Sequence, residues 1–168
     1  LDIGLGSGCI SCALAKKLKD KDIEILGVDI SLEALEIAIE NINKLDLVRK
    51  VIIRKSNLFS KIRDIEKFDL IVSNPPYIPI KEENNLQKEV RDFEPKEALF
   101  ANDEDGIEFY EKIIATSPNF LKKDGFLAVE LGVGQYKKVQ KLMEKNFENI
   151  EIIKDLAGIE RVITGKIK

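Results

Sequence analysis

Leu1-Asp2-Ile3-Gly4-Leu5-Gly6-Ser7-Gly8 opens the chain, and its reading decides the fold. Leu1 to Ile3 look like the tail of a strand. Gly4 to Gly8 form a tight loop, because glycine lets the backbone turn sharply and approach a ligand. Ile10 to Leu18 then carry the Ala/Leu face of a helix. The same alternation continues outward. Glu24 to Ile30 read as a strand with Asp29 near its end. Ser31 is placed to cap a helix that runs to about Lys44, with Glu33 and Glu36 in its first turns. Lys50 to Lys55 and Asp69 to Ser73 are further strands. Strands alternating with helices predict a Rossmann-like α/β fold: a mainly parallel central sheet with helices on both faces.

The second half is less regular. Ile80 to Asp103 form a long charged stretch of weak periodicity, and a loop of that length is uncommon unless it is functional. Asp105-Gly106 is expected to open a helix that reaches about Phe120. Lys123-Asp124-Gly125 reads as a turn, Phe126 to Leu131 as a strand and Gln135 to Lys145 as a helix. Ile150 to Lys154 and Arg161 to Gly165 read as two closing strands.

Composition narrows the chemistry. The 168 residues fit one domain, and 44% hydrophobic with 34% charged residues is an ordinary globular balance. No apolar stretch approaches the ~20 residues of a membrane span. A net charge of -3 argues against wrapping a nucleic-acid backbone, so direct nucleic-acid binding is not expected. There is no histidine, which removes the usual general base and the Ser-His and Cys-His pairs. Chemistry must rest on positioning, on carboxylates and amides, or on a cofactor. Cys9 and Cys12 sit at a predicted helix start and read as small, partly buried thiols of a reduced cytosolic protein. They make a poor zinc site, and no metal is expected. Leu1 is not a methionine, and an incomplete first strand predicts further residues upstream.

In a parallel sheet, ligands bind beyond the C-terminal strand edges. Gly4 to Gly8, Asp29, Asn57-Leu58 and Asn74-Pro75-Pro76-Tyr77 each follow or end a different predicted strand, so they are expected on one rim. Asp29 can accept from ribose hydroxyls. The spacing is G-x-G-x-G rather than the dinucleotide G-x-G-x-x-G. Asp2, just before the loop, suits a ligand with positive charge, such as the amino group or sulfonium of S-adenosylmethionine. Asn57 offers a polar contact and Leu58 an apolar wall near an adenine; an ordinary strand-end turn is the alternative.

Asn74 to Tyr77 combine an amide, two prolines and an aromatic ring after an apolar strand. The prolines stiffen the loop and leave carbonyl oxygens free. Such a loop can grip a planar NH2 group from both hydrogens. A Pro-rich turn with an Asx cap would look the same.

Taken together, these segments resemble the class I, S-adenosylmethionine-dependent methyltransferases. More narrowly they resemble the protein-(glutamine-N5) methyltransferases of peptide chain release factors, the HemK family. The resemblance rests on Leu1 to Gly8, Val28 to Ser31, Val72 to Ile78, Glu89 to Pro95, Ala98 to Phe100, Asp105 to Ile107, Glu130 to Gly132, and Asp155 to Gly158 with Glu160 to Val162. It implies a class I methyltransferase fold with an antiparallel strand near the C-terminus. It implies cofactor contacts from Asp2, Gly4, Leu5, Gly6, Ser7, Gly8, Asp29, Asn57, Leu58 and Asn74, and a substrate glutamine held by Asn74, Pro75, Pro76 and Tyr77, with Asn74 and Pro75 catalytic. It implies a cytoplasmic enzyme whose protein partner is a release factor, and an N-terminal helical domain upstream. Leu5 stands where a small or hydroxyl residue is usual, and Asn57 where an acid is common. Arg91, Asp92 and Glu94 are read as an internally paired loop at the substrate entrance. The rivals are a ribosomal-protein glutamine methyltransferase, an adenine-N6 nucleic-acid methyltransferase, a non-catalytic cofactor-binding module and, disfavoured by glycine spacing, a dehydrogenase.

Overall fold

The structure, a computed structural model, describes residues 1–85, 88 and 95–168. Arg91, Asp92 and Glu94, read from sequence as an entrance loop, lie outside the described residues. The chain divides into two compact units, one of residues 1–66 and 71–73, the other of residues 67–70 and 74–168.

The first unit contains β1 (Asp2–Ile3), α1 (Cys9–Lys17), β2 (Ile25–Asp29), α2 (Leu32–Lys44), β3 (Val51–Lys55) and the end of β4 (Phe68–Ser73). Its strands lie in the order β3-β2-β1-β4. All pair in parallel, with Asp2 opposite both Gly27 and Val72, and Ile25 opposite Val51. Ile25 to Val28 are all buried, as a strand covered on both faces requires. Leu5, Ala15, Leu35, Ala38 and Ile42 bring loop and helices together in one core. A Cβ on Gly27 would stand 2.6 Å from Leu5 Cδ1, so the missing side chain is what admits Leu5. The predicted cap on α2 is present: Ser31 Oγ accepts from the Ala34 N–H at 3.2 Å.

The second unit takes the start of β4, then β5 (Ile78–Pro79), a 3-10 turn (Ile80–Asn85), α3 (Lys96–Leu99) and β6 (Phe100–Ala101). It continues with α4 (Glu108–Thr116), a 3-10 turn (Ser117–Asn119), β7 (Leu121–Glu130), α5 (Tyr136–Met143), β8 (Phe147–Lys154) and β9 (Glu160–Ile167). The order here is β4-β7-β9-β8, and β9 runs antiparallel to both of its neighbours. A small parallel pair, β5 with β6, sets Ile78 opposite Phe100. The mainly parallel sheet with a late antiparallel strand is therefore the expected class I arrangement.

Several boundaries differ from the sequence reading. Lys123-Asp124-Gly125 is no turn. β7 runs through it, with Asp124 in the left-handed region at φ 64°. Aspartate tolerates that conformation, so Asp-Gly marks a local kink rather than a strand end. The helix expected from Asp105 starts at Glu108, because Asp103 is the true cap: its carboxylate accepts from the N–H of Ile107 (2.8 Å) and Glu108 (3.1 Å). It stops at Thr116, two residues before Pro118, which has no N–H to continue it. β8 begins at Phe147, earlier than expected, because Asn149 at φ 50° and a register shift between Glu148 and Glu151 absorb an irregularity. The charged stretch after Pro79 is only partly loop, since its described portions hold a 3-10 turn, α3 and β6. No described helix is long and apolar enough to cross a membrane.

Candidate functional site

In the first unit the glycine loop is folded by its own backbone. The N–H groups of Gly4 and Leu5 both donate to Val28 O, at 2.9 and 3.0 Å, which clips the loop to the end of β2. The Gly8 N–H returns to Leu5 O at 2.9 Å. Gly6 and Gly8 stand at φ 55° and 83°, where a side chain is strained. Gly8 O accepts from the Cys12 N–H, so the loop passes straight into α1. A Cβ on Gly6 would meet nothing within 4 Å, so glycine is required there by the backbone and the loop's outer side is open.

Asp29 organises this loop. Its Oδ2 accepts from the Gly6 N–H at 2.8 Å and its Oδ1 from the Ser31 N–H at 2.9 Å. A carboxylate oxygen has roughly two acceptor positions, so each still has one for a ligand hydroxyl. Asp29 O accepts from the Ser56 N–H at 2.8 Å, which brings the turn after β3 to the same place. In that turn Ser56 Oγ donates to Leu58 O at 2.8 Å and accepts from the Lys61 N–H at 3.0 Å. Leu58 is held half-buried at φ 47° and Asn57 is exposed. A leucine in the left-handed region is strained, and such strain concentrates at ligand sites.

Asp2 is buried, with 1% of its surface exposed. Its Oδ2 accepts from the Ser11 hydroxyl (2.7 Å) and the Ser11 N–H (3.1 Å), while Oδ1 has no partner among the described residues. Burial raises its pKa above the usual carboxylate value despite the Ser11 hydrogen bonds. A buried, half-satisfied carboxylate is costly unless a cation or donor completes it. That is the property expected of a residue meeting a ligand ammonium group. Leu5 is different. Its N–H donates to Val28 O, its C=O accepts from the Gly8 N–H and its side chain is 5% exposed, so the side chain shapes the loop from inside.

In the second unit, Asn74 is exposed, Pro75 buried, and Pro76 and Tyr77 half-buried. Asn74 follows directly on Ser73, whose hydroxyl donates to Ile3 O at 2.7 Å. Among the described residues, no hydrogen bond uses the Asn74 side chain. A cavity of about 100 Å³ opens beside it, lined by Asn74, Pro75, Tyr77, Ile78, Ala98 and Leu99. Asn74 lends it a polar side chain and Ile78, Ala98 and Leu99 apolar ones, which fits a primary amide on an aliphatic stem.

A side-chain network stands behind this loop. Gln135 Nε2 donates to the carbonyls of Tyr77 (3.0 Å), Asp105 (3.0 Å) and Gly106 (3.3 Å). Gln135 Oε1 accepts from the Gly132 N–H at 3.1 Å and lies 3.3 Å from the hydroxyl of the fully buried Tyr110. The Tyr110 hydroxyl donates to Glu130 O at 2.9 Å and accepts from the Gly132 N–H at 3.2 Å. Burial raises the Tyr110 pKa well above its ordinary value, so it stays a neutral donor. The Tyr77 hydroxyl donates to Glu130 Oε1 at 3.4 Å, and burial raises the Glu130 pKa.

The structure thus brings Gly4 to Gly8, Asp29, Asn57 and Leu58 together in the first unit, and Asn74, Pro75 and Tyr77 around one cavity in the second, with Pro76 outside its lining. Sequence reasoning missed Tyr110 and Gln135. Gln135 lies three residues after Gly132 and reads as an ordinary polar helix start; only the glycines at 106 and 132 hinted at a close approach. Among the described residues no cluster of histidine, cysteine, aspartate or glutamate could hold a metal ion.

Residues 1–92 match the model of the methyltransferase small domain family. The chain is 44% identical to the release factor glutamine methyltransferase of Fusobacterium nucleatum subsp. nucleatum, over 99% of the chain and 46% of that protein. It is 41% identical to the release factor glutamine methyltransferase of Geobacter sulfurreducens, over 99% of the chain and 57% of that protein. The chain therefore spans about half the length of these curated relatives. In fold it resembles a crystal structure of a methyltransferase from Pyrococcus furiosus, with a TM-score of 0.68 and 18% identity over 99% of this chain and 74% of that one.

Proposed function

We propose that this chain, which belongs to the methyltransferase small domain family, carries a methyl group from S-adenosylmethionine to the side-chain amide nitrogen of a glutamine in peptide chain release factors. The observation that carries the reading is the Asn74 amide, which makes no hydrogen bond among the described residues and borders a small cavity on an Asn-Pro-Pro-Tyr loop. The names of the two relatives supply the substrate. The whole protein would act in the cytoplasm.

The first unit fits the donor. Asp29 has acceptor positions left for ribose hydroxyls, and the unpartnered Asp2 Oδ1 suits the ammonium end of the amino-acid moiety. The open side of Gly6 lets backbone and ligand approach. When bound, S-adenosylmethionine supplies an electrophilic methyl group on a sulfonium.

A glutamine amide nitrogen is a poor nucleophile, because its lone pair is delocalised into the carbonyl. Asn74 Oδ1 and the Pro75 carbonyl would accept its two hydrogens and hold the nitrogen in one orientation. As the N–C bond forms and positive charge grows on the nitrogen, those oxygens stabilise it before a proton leaves to solvent. Fixed orientation of this kind is worth up to about 7–11 kcal/mol. Tyr77 and Ile78 would enclose the aliphatic stem. The step requires no histidine and no metal.

The test is mass spectrometry of a release factor after incubation with the intact protein and S-adenosylmethionine. The expected result is one added methyl on a glutamine side chain. Methylation of a ribosomal protein or of adenine in DNA instead, or cofactor binding without turnover on any of these, would overturn the assignment.

A further inference from the structure

We propose that Gln135 is a positioning residue for the methyl-accepting loop: its carboxamide sets the backbone of Asn74 to Tyr77 without touching substrate. This rests on the function proposed above. Pro75 and Pro76 have no N–H, so the centre of the loop offers no backbone donor and its carbonyls and side chains gain weight as anchors. Gln135 takes the Tyr77 carbonyl at its end.

The geometry around Gln135 admits only one orientation of its amide. The Nε2 side faces the carbonyls of Tyr77, Asp105 and Gly106, which can only accept. The Oε1 side faces the Gly132 N–H and the Tyr110 hydroxyl. A flipped amide would set oxygen against the three carbonyls and leave the Gly132 N–H against a second donor. Nε2 has two hydrogens for its three carbonyls, so the longest contact, to Gly106, is the shared one.

Two glycines exist to admit this side chain. A Cβ on Gly106 would stand 2.0 Å from Tyr77 O and 2.6 Å from Gln135 Nε2. A Cβ on Gly132 would stand 2.3 Å from Gln135 Oε1 and 2.8 Å from Tyr77 Cδ2. The turn before α4, the end of β7 and the substrate loop are therefore packed to van der Waals contact around one amide. Its partners all belong to the second unit and none to the residues expected to hold the cofactor. The effect should fall on turnover and spare the donor.

Gln135→Glu tests this, because it keeps the volume and the accepting oxygen, removes the donating side and sets a carboxylate oxygen against the three carbonyls. The intact variant is compared with wild type for kcat, for KM of each substrate, for thermal midpoint, and for amide hydrogen exchange over residues 77–83. The expected outcome is a fall in kcat of about 100-fold, the scale of an ångström-sized misplacement. KM for the cofactor should not move, and residues 77–83 should exchange faster. Wild-type turnover with unchanged exchange overturns the proposal, as does an equal loss of cofactor affinity. Should Gln135→Glu fail to fold, Tyr110→Phe removes only the hydroxyl behind Oε1, and a smaller loss with the same kcat-only pattern is expected; none, or one shared with cofactor affinity, is contrary. If wild type transfers no methyl to release factor, the functional reading falls, and the exchange measurement still decides what Gln135 holds.

Discussion

The glycine loop of the first unit and the Asn74 loop of the second are both strand-end turns built to meet a ligand, yet they are held by different means. Gly4 to Gly8 are fastened mostly by main chain: three backbone donors within the loop find Val28 O or Leu5 O, while the carboxylate of Asp29 takes a fourth from Gly6 and the Asn41 side chain donates to Ser7 O. The centre of Asn74 to Tyr77 cannot be fastened that way, because its two prolines have no N–H. Side chains from β7 and the start of α5 meet it, Glu130 at the Tyr77 hydroxyl and Gln135 at the Tyr77 carbonyl, with Tyr110 of α4 behind Gln135. A loop tied by backbone tolerates exchange of its side chains as long as its glycines remain. A loop tied by side chains is sensitive at positions far away in sequence.

The largest expected effect separates the two loops. Asn74→Ala removes the one side-chain acceptor available to the substrate amide and leaves the glycine loop and Asp29 untouched. We expect kcat to fall by about 100- to 1,000-fold, the scale of losing a positioned polar group aimed at developing charge. Cofactor affinity by calorimetry should weaken far less. Turnover near wild type, or equal losses in both quantities, would show that the two loops do not divide donor and acceptor between them.

Asp2→Asn probes the other side, with opposite signs for stability and binding. Burial holds the folded pKa of Asp2 above its unfolded value. Any stability this titration gives is therefore fully present below the unfolded pKa and is lost as pH rises through the folded one. Above the folded pKa the ionised carboxylate is a burden to the protein without ligand, and there the amide should leave the thermal midpoint unchanged or raised. Binding should move the other way, because a charged hydrogen bond is worth about 1.5–3 kcal/mol, or roughly 10- to 100-fold in affinity. A variant that binds S-adenosylmethionine as wild type does would remove Asp2 from the donor site.

This division also explains what was legible in the sequence. The first unit was readable almost residue by residue, because glycines, caps and strand-end acids act on neighbours a few positions away. Ser31 capped α2 as expected, and Asp29, expected to accept from a ribose, ends its strand bonded to the glycine loop. Leu5 was the exception: only Gly27, 22 positions on, shows that its side chain goes inward. In the second unit the Asn-Pro-Pro-Tyr signal was plain, but its supports were not. Gln135 is 58 residues from Tyr77, and nothing local distinguishes it from any glutamine opening a helix. Asp124-Gly125 misled for a related reason, since the residue pair that makes a turn also makes a kink within β7.

The smallest expected effect concerns the one prominent side-chain tie of the first unit. Arg54 on β3 grips Glu66 through two contacts of 2.9 Å and also donates to Lys61 O at 2.9 Å, across the segment that follows Asn57-Leu58. Hydrogen bonding from Arg54 holds the Glu66 carboxyl far below the ordinary carboxylate range, with Arg63 adding to it. A depressed folded pKa means stability that is present above the unfolded value and lost as pH falls below it. Glu66→Gln should therefore lower the thermal midpoint at pH 7, and the gap to wild type should narrow steadily below about pH 4.3, the ordinary glutamate value. If the cofactor loops are held by backbone, as Ser56 and Asp29 suggest, S-adenosylmethionine affinity should not change. A loss of affinity beyond about threefold, larger than a modest surface pair can transmit, would mean that the turn after β3 depends on this ion pair. The contrast between a backbone-held and a side-chain-held loop would then fail at Asn57 and Leu58 and survive only for Gly4 to Gly8.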